Sequence, residues 1–136
     1  MKAKTMRRRY QCEAAVMLAA ARLAVAVVPS KRVFAWASRP PRRIERFNGE
    51  EIGWVAWAVE TVGSKPWMKS LCLPRALAAQ TMLRRRGIPS KLCLGVARNG
   101  GAMEAHAWVE IGANKIVGGA EAQRFTRLAE FGGAAK

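Results

Sequence analysis

The hydrophobic period of this chain changes abruptly at Gly87, and that change calls for a helix feeding an antiparallel hairpin. Before it, Leu73, Ala76, Ala79 and Leu83 recur at three-and-four spacing within residues 72–86, forming one apolar stripe that Leu77 widens and Gln80 interrupts. Pro74 suits a first turn, where no amide donor is needed. The run Arg84, Arg85, Arg86 suits the negative C-terminal end, and Gly87 with Pro89 stops the helix. After it, residues 91–97 alternate, turn through Arg98-Asn99-Gly100-Gly101, and alternate again over residues 103–111. In that second strand Met103, Ala105, Ala107, Val109 and Ile111 share the apolar face, leaving Glu104, His106, Trp108 and Glu110 on the other. A third short strand, residues 115–117, follows the turn Gly112-Ala113-Asn114 and makes the strand of His106 an inner one.

Two residues in this frame carry reactive chemistry. Cys72 opens the helix, where aligned peptide dipoles and free amides favour a thiolate, the better nucleophile, and where its own amide can face an oxyanion. His106, the one histidine in the chain, is placed on an inner strand where neighbours can fix its ring, which suits a general base. Taken singly, a buried cysteine and a hydrogen-bonded histidine are ordinary structural residues. Together, at a helix head and on the adjoining strand, they read as a nucleophile and its base.

The same residues carry a resemblance. Trp67, Cys72-Leu-Pro-Arg-Ala-Leu-Ala, Leu83-Arg-Arg-Arg-Gly-Ile-Pro, Gly95-Val and Ala105-His-Ala-Trp-Val-Glu resemble the lasso peptide biosynthesis B2 proteins, which belong to the transglutaminase-like cysteine protease superfamily. The resemblance implies an α+β fold with a transglutaminase-like or papain-like core. N-terminal helices (residues 1–66) would precede the nucleophile helix and a small antiparallel sheet (67–136), all in a single domain, 1–136. It implies a cysteine peptidase that removes the leader from a ribosomally made precursor, after which a macrolactam synthetase closes the ring. Residues 1–71 are too few to hold a leader-recognition domain besides the protease's own helices. A separate leader-binding B1 partner is therefore expected, and no metal, nucleotide or other cofactor.

One departure from the family concerns the group that orients the histidine. The family uses an aspartate on the strand after it, whereas this sequence contains no aspartate, and the equivalent position falls at Gly118 or Gly119. Glu110 lies four residues along the strand of His106, about 13 Å at roughly 3.3 Å per residue, too far for a direct hydrogen bond. Glu104 is nearer. If the hairpin turns about Ala113, Glu121 is the carboxylate best able to approach from the neighbouring strand, so it is the candidate orienting group. Asn114 sits at the turn, too remote unless the turn folds back, and a backbone carbonyl or an unassisted Cys-His dyad remains open, since a thiolate needs less help than a serine.

Composition bounds the alternatives. Three cysteines without paired spacing argue against a disulfide scaffold and for a reducing compartment, the cytoplasm. Cys12 and Cys93 read as packing residues, and a zinc site drawn from Cys12, Cys72, Cys93 and His106 lacks any Cys-x-x-Cys pair. The formal charge is +15, but its dense runs (Arg7 to Arg9, Arg39 to Arg43, Arg84 to Arg86) are scattered and carry no stacking motif, which disfavours nucleic acid and favours acidic surfaces on the precursor or on B1. Residues 14–29 are almost wholly apolar, yet Arg22 interrupts them. A buried helix is the plainer reading, and the resemblance favours it over attachment to an anionic membrane surface. Residues 31–48 read as a linker, followed by a helix through Ile52, Val55, Ala56, Val59 and Val62 that ends at Gly63. Trp67, five residues before Cys72, either walls the nucleophile's pocket or anchors its helix. Two other roles remain open: acyl transfer to an amine, as in transglutaminases, or a non-catalytic scaffold of the maturation complex.

Overall fold

The computed structural model describes residues 2–42, 49–64, 72–112, 114–118 and 125–132. Four helices precede four strands: α1 (Lys2–Val27), α2 (Ser30–Ala37), α3 (Gly49–Gly63), α4 (Cys72–Arg85), β1 (Lys91–Asn99), β2 (Ala102–Ile111), β3 (Asn114–Val117) and β4 (Thr126–Gly132). The strands form one antiparallel sheet in the order β3-β2-β1-β4, so the strand of His106 is an inner one. This is the α+β architecture that the resemblance implies, containing the helix and hairpin expected from the change of period, with α4 packed on the sheet through β2 and wrapped by α1 and α3.

Alternation along β2 divides the two faces of the sheet. Ala107 and Val109 join Leu92, Val117 and the α4 residues Ala76, Leu77, Ala79 and Leu83 in the main core. Trp108 points the other way, into a second cluster with Cys93 and Phe125. The expected apolar face is buried only in part, because the hairpin tip runs past the helices and leaves Met103 63% exposed. The expected polar face is in turn closed over: Trp108 and Glu110 are both buried. Strand β4, which sequence periodicity did not disclose, pairs with β1 and lays Arg127 over the Trp108 ring and against the Glu110 carboxylate. The Trp108 indole donates to that same carboxylate at 2.7 Å, so Glu110 is a structural acid.

Gln80, the flaw in the α4 stripe, is a clasp. Its side chain is 2% exposed, and its amide donates towards the carbonyls of Ala37, Phe131 and Ser90 at 2.9, 3.2 and 3.5 Å. The ends of α2 and β4 are thereby tied to the middle of the core helix. Gly132 makes room for it at φ +94°, since a Cβ there would lie 2.8 Å from the Gln80 amide. Residues 30–37 are thus helical, not the linker their charged and proline-flanked sequence suggests.

The first helix corrects another expectation. Only Ala14, Leu18 and Ala21 of α1 are buried, while Val16, Leu23 and Val27 on its outer side are 64%, 64% and 68% exposed. The inner side packs on α3 and α4. Tyr10 stacks on Trp54, which meets Trp57 edge to face, so both tryptophans of α3 are half-buried wall between α1 and α3.

Candidate active site

The site forms where the head of α4, the end of α3 and the outer edge of β2 meet. Cys72 is the first residue of α4, half-buried, and packs against the main core. One turn on, Arg75 donates to the Glu60 carboxylate of α3 at 2.6 Å. Gly63 lets the guanidinium lie along α3, because a Cβ at that position would come within 2.8 Å of Arg75 Nε. The other oxygen of Glu60 accepts from the Gly118 backbone N–H at 3.2 Å.

Gly118 closes the chain of contacts at His106. It follows β3 directly, with φ +75°, and its carbonyl lies 2.8 Å from His106 Nε2. A carbonyl oxygen only accepts, so Nε2 carries the proton and donates, which leaves Nδ1 of the neutral ring free to take one. The ring stacks on Phe125 at 5.0 Å and on Trp108 at 6.0 Å between centroids. Opposite His106 in the register stands Gly95. Its missing side chain leaves room for this aromatic layer, since a Cβ there would lie 3.0 Å from both Trp108 and Phe125.

A β-bulge between Val109 and Glu110 shifts the register of β3 on β2 by one residue, and Gly118 lies near Ala107, Trp108 and the His106 ring. Gly118, one of the two positions where the resemblance looks for an aspartate, thus supplies a backbone acceptor. It has no space for a side chain: a Cβ would lie 2.9 Å from the Ala107 carbonyl and 3.4 Å from His106 Nε2.

The expected residues fall as follows. Cys72 lies on the helical side of the sheet, whereas His106 sits on the face of Trp108 and Phe125. Among the described residues no hydrogen bond joins the two; the head of α4 reaches His106 through Arg75, Glu60 and Gly118. Glu121, Gly119 and Trp67 lie outside the described residues. Glu104 is half-buried on β2, and Asn114 opens β3, exposed. Cys93 is buried, and desolvation followed by the Glu110 charge pushes its thiol up to about 11, which makes it inert at neutral pH. Cys12 is exposed on α1. Sequence reasoning missed Glu60 and Arg75. The only available signals were one acid near the C-terminal end of α3, after a largely apolar run, and an arginine one turn after the cysteine.

A cysteine at the head of the core helix and a histidine on the sheet are residue types that thiol-dependent acyl chemistry uses. The sequence matches the transglutaminase-like superfamily over residues 14–130, and the chain belongs to that superfamily. Membership fits a cysteine peptidase-like or acyltransferase-like enzyme. Comparison with curated proteins and with solved structures finds no match.

Proposed function

We propose that this protein is a cysteine peptidase that removes the leader from a lasso peptide precursor, presented to it by a separate B1 protein. The observation that carries the reading is the Gly118 carbonyl at His106 Nε2. It fixes the tautomer whose Nδ1 can serve as a base, in a superfamily whose members work through a cysteine. The leader-peptidase assignment rests on the motifs around Trp67, Cys72 and His106 quoted above.

In this reading Cys72 Sγ attacks the carbonyl carbon of the last leader residue while His106 Nδ1 takes the thiol proton. The tetrahedral oxyanion is met by amides at the α4 N-terminus. His106 then returns the proton to the leaving amine, which departs as the new N-terminus of the core peptide and leaves the leader as a thioester on Cys72. Water attacks the thioester, again giving its proton to His106, and the thiol is restored. This reading requires substrate binding to bring together Cys72, on the helical side of the sheet, and His106, on the face of Trp108 and Phe125. Glu121 remains a candidate second partner of the ring. A free thiol nucleophile suits the cytoplasm, and the basic surface suits acidic patches on B1 or on the precursor, with the macrolactam synthetase acting next.

The test is mass spectrometry of the genomically adjacent precursor incubated with this protein and B1. Free leader and free core are expected from the wild type, and neither from Cys72→Ala. A leader joined to an added amine would mean acyl transfer instead, and unchanged cleavage by Cys72→Ala would mean a scaffold.

A further inference from the structure

Among the described residues nothing covers the outer face of α1. Cys12, Val16, Ala19, Leu23, Ala26 and Val27 are all exposed and lie on the side of the helix opposite the buried Ala14, Leu18 and Ala21. By length and composition α1 could cross a membrane, with 17% of the relevant window buried. Its inner stripe is nevertheless packed on α3 and α4, so crossing would strip the core helix of its cover. Lying along an interface keeps that packing and covers the outer stripe.

Charge at both ends of the stripe identifies the surface. Arg8 and Arg9 are exposed one turn before it, and Lys31 and Arg32 are exposed just after it, on α2. Glu13, the only acid in α1, is turned aside into ion pairs with Arg85 and Arg86. The apolar surface continues into an open pocket of about 370 Å³ between α1 and α2, lined by Ala20, Ala24, Val28, Val33 and Trp36 with Arg32 beside them. Trp36 is 38% exposed and has the Arg84 guanidinium over its ring at 4.4 Å, an aromatic and cation pairing suited to the headgroup level.

We propose that α1, with the adjoining end of α2, is a peripheral membrane-docking face for anionic bilayers, the aliphatic stripe entering the headgroup boundary and the flanking arginines and lysines meeting lipid phosphates. This proposal is independent of the reading of the active site. It is tested by co-sedimentation of the full chain with vesicles of phosphatidylcholine alone or mixed with phosphatidylglycerol, beside light scattering of the protein in solution. The wild type is expected to bind the anionic vesicles only. Val16→Ser/Leu23→Ser/Val27→Ser, which leaves the charge unchanged at exposed sites, is expected to bind at least about tenfold more weakly with an unchanged circular dichroism spectrum. Arg8→Gln/Arg9→Gln should weaken binding as well. Absence of binding to anionic vesicles, equal binding by the serine variant, or a dimer in solution that the serine variant dissolves would each overturn the proposal.

Discussion

Gly118 gives His106 a backbone acceptor, and its φ of +75° together with the close Ala107 carbonyl leaves no room for a side chain. Gly118→Asp, although it puts an acid at one of the two positions where the resemblance expects one, should therefore lower precursor cleavage by at least about tenfold and destabilise the fold by about 1–3 kcal/mol, read from kcat and from urea midpoints. Glu60 positions this peptide through the Gly118 N–H while its other oxygen holds Arg75. Glu60→Ala is expected to reduce kcat by about 10- to 100-fold with little change in KM, and to shift the pH profile, as loss of an orienting contact does. Glu60→Gln keeps an oxygen for the amide and should recover part of the rate. The sequence showed the missing aspartate and left a backbone carbonyl open as the acceptor, but not that Gly118 supplies it or that Glu60 holds that peptide. A missing aspartate can be counted, but a carbonyl acceptor has no residue type, and Glu60 lies 46 residues before His106 in sequence.

At the scale of elements, the helix and hairpin were legible because each sustains its own period over two turns or more, and the structure sets α4 and β1 to β3 within a residue or two of the expected bounds. Elements α2 and β4 were not. The first is an eight-residue helix between prolines, and the second is an edge strand whose exposed residues bury too little to impose alternation. Both are held by Gln80, so Gln80→Leu should cost about 1–3 kcal/mol in chemical denaturation, by taking this donor from the Phe131 carbonyl and leaving the Ala37 carbonyl to Arg84 Nη2 alone. The arginine run at the end of α4 also has a second use, because Arg85 and Arg86 both bind Glu13 of α1. Burial pushes the Glu13 carboxyl up, but the hydrogen bond and charge of Arg86, aided by Arg85 and Arg9, outweigh it and hold the group below the usual carboxylate range. A depressed carboxylate stabilises the fold above the pKa of the unfolded chain, and that stability is lost as pH falls through the lower folded value. Glu13→Gln should thus unfold at lower urea than the wild type at pH 7, with the gap closing in acid below the carboxylate range.

The whole molecule joins two unlike surfaces. Its +15 charge is dispersed, and the densest run in the catalytic half is consumed internally: Arg84 binds the Ala37 and Arg39 carbonyls while its neighbours bind Glu13. That internal use fits the absence of a stacking motif and leaves the basic amino-terminal helix as the more open cationic surface. Membership of the transglutaminase-like superfamily fits a cysteine peptidase-like or acyltransferase-like enzyme, and the central claim is that its nucleophile is the Cys72 thiol acting with His106. The most direct measurement is acid-quenched mass spectrometry of the protein during turnover of precursor and B1, with proteolytic mapping of any adduct. The account predicts a leader-derived acyl group on the Cys72 peptide of the wild type, absent from Cys72→Ala and strongly diminished in His106→Ala. Continued cleavage with no adduct at Cys72, or an adduct mapped to Cys12 or Cys93, would contradict it.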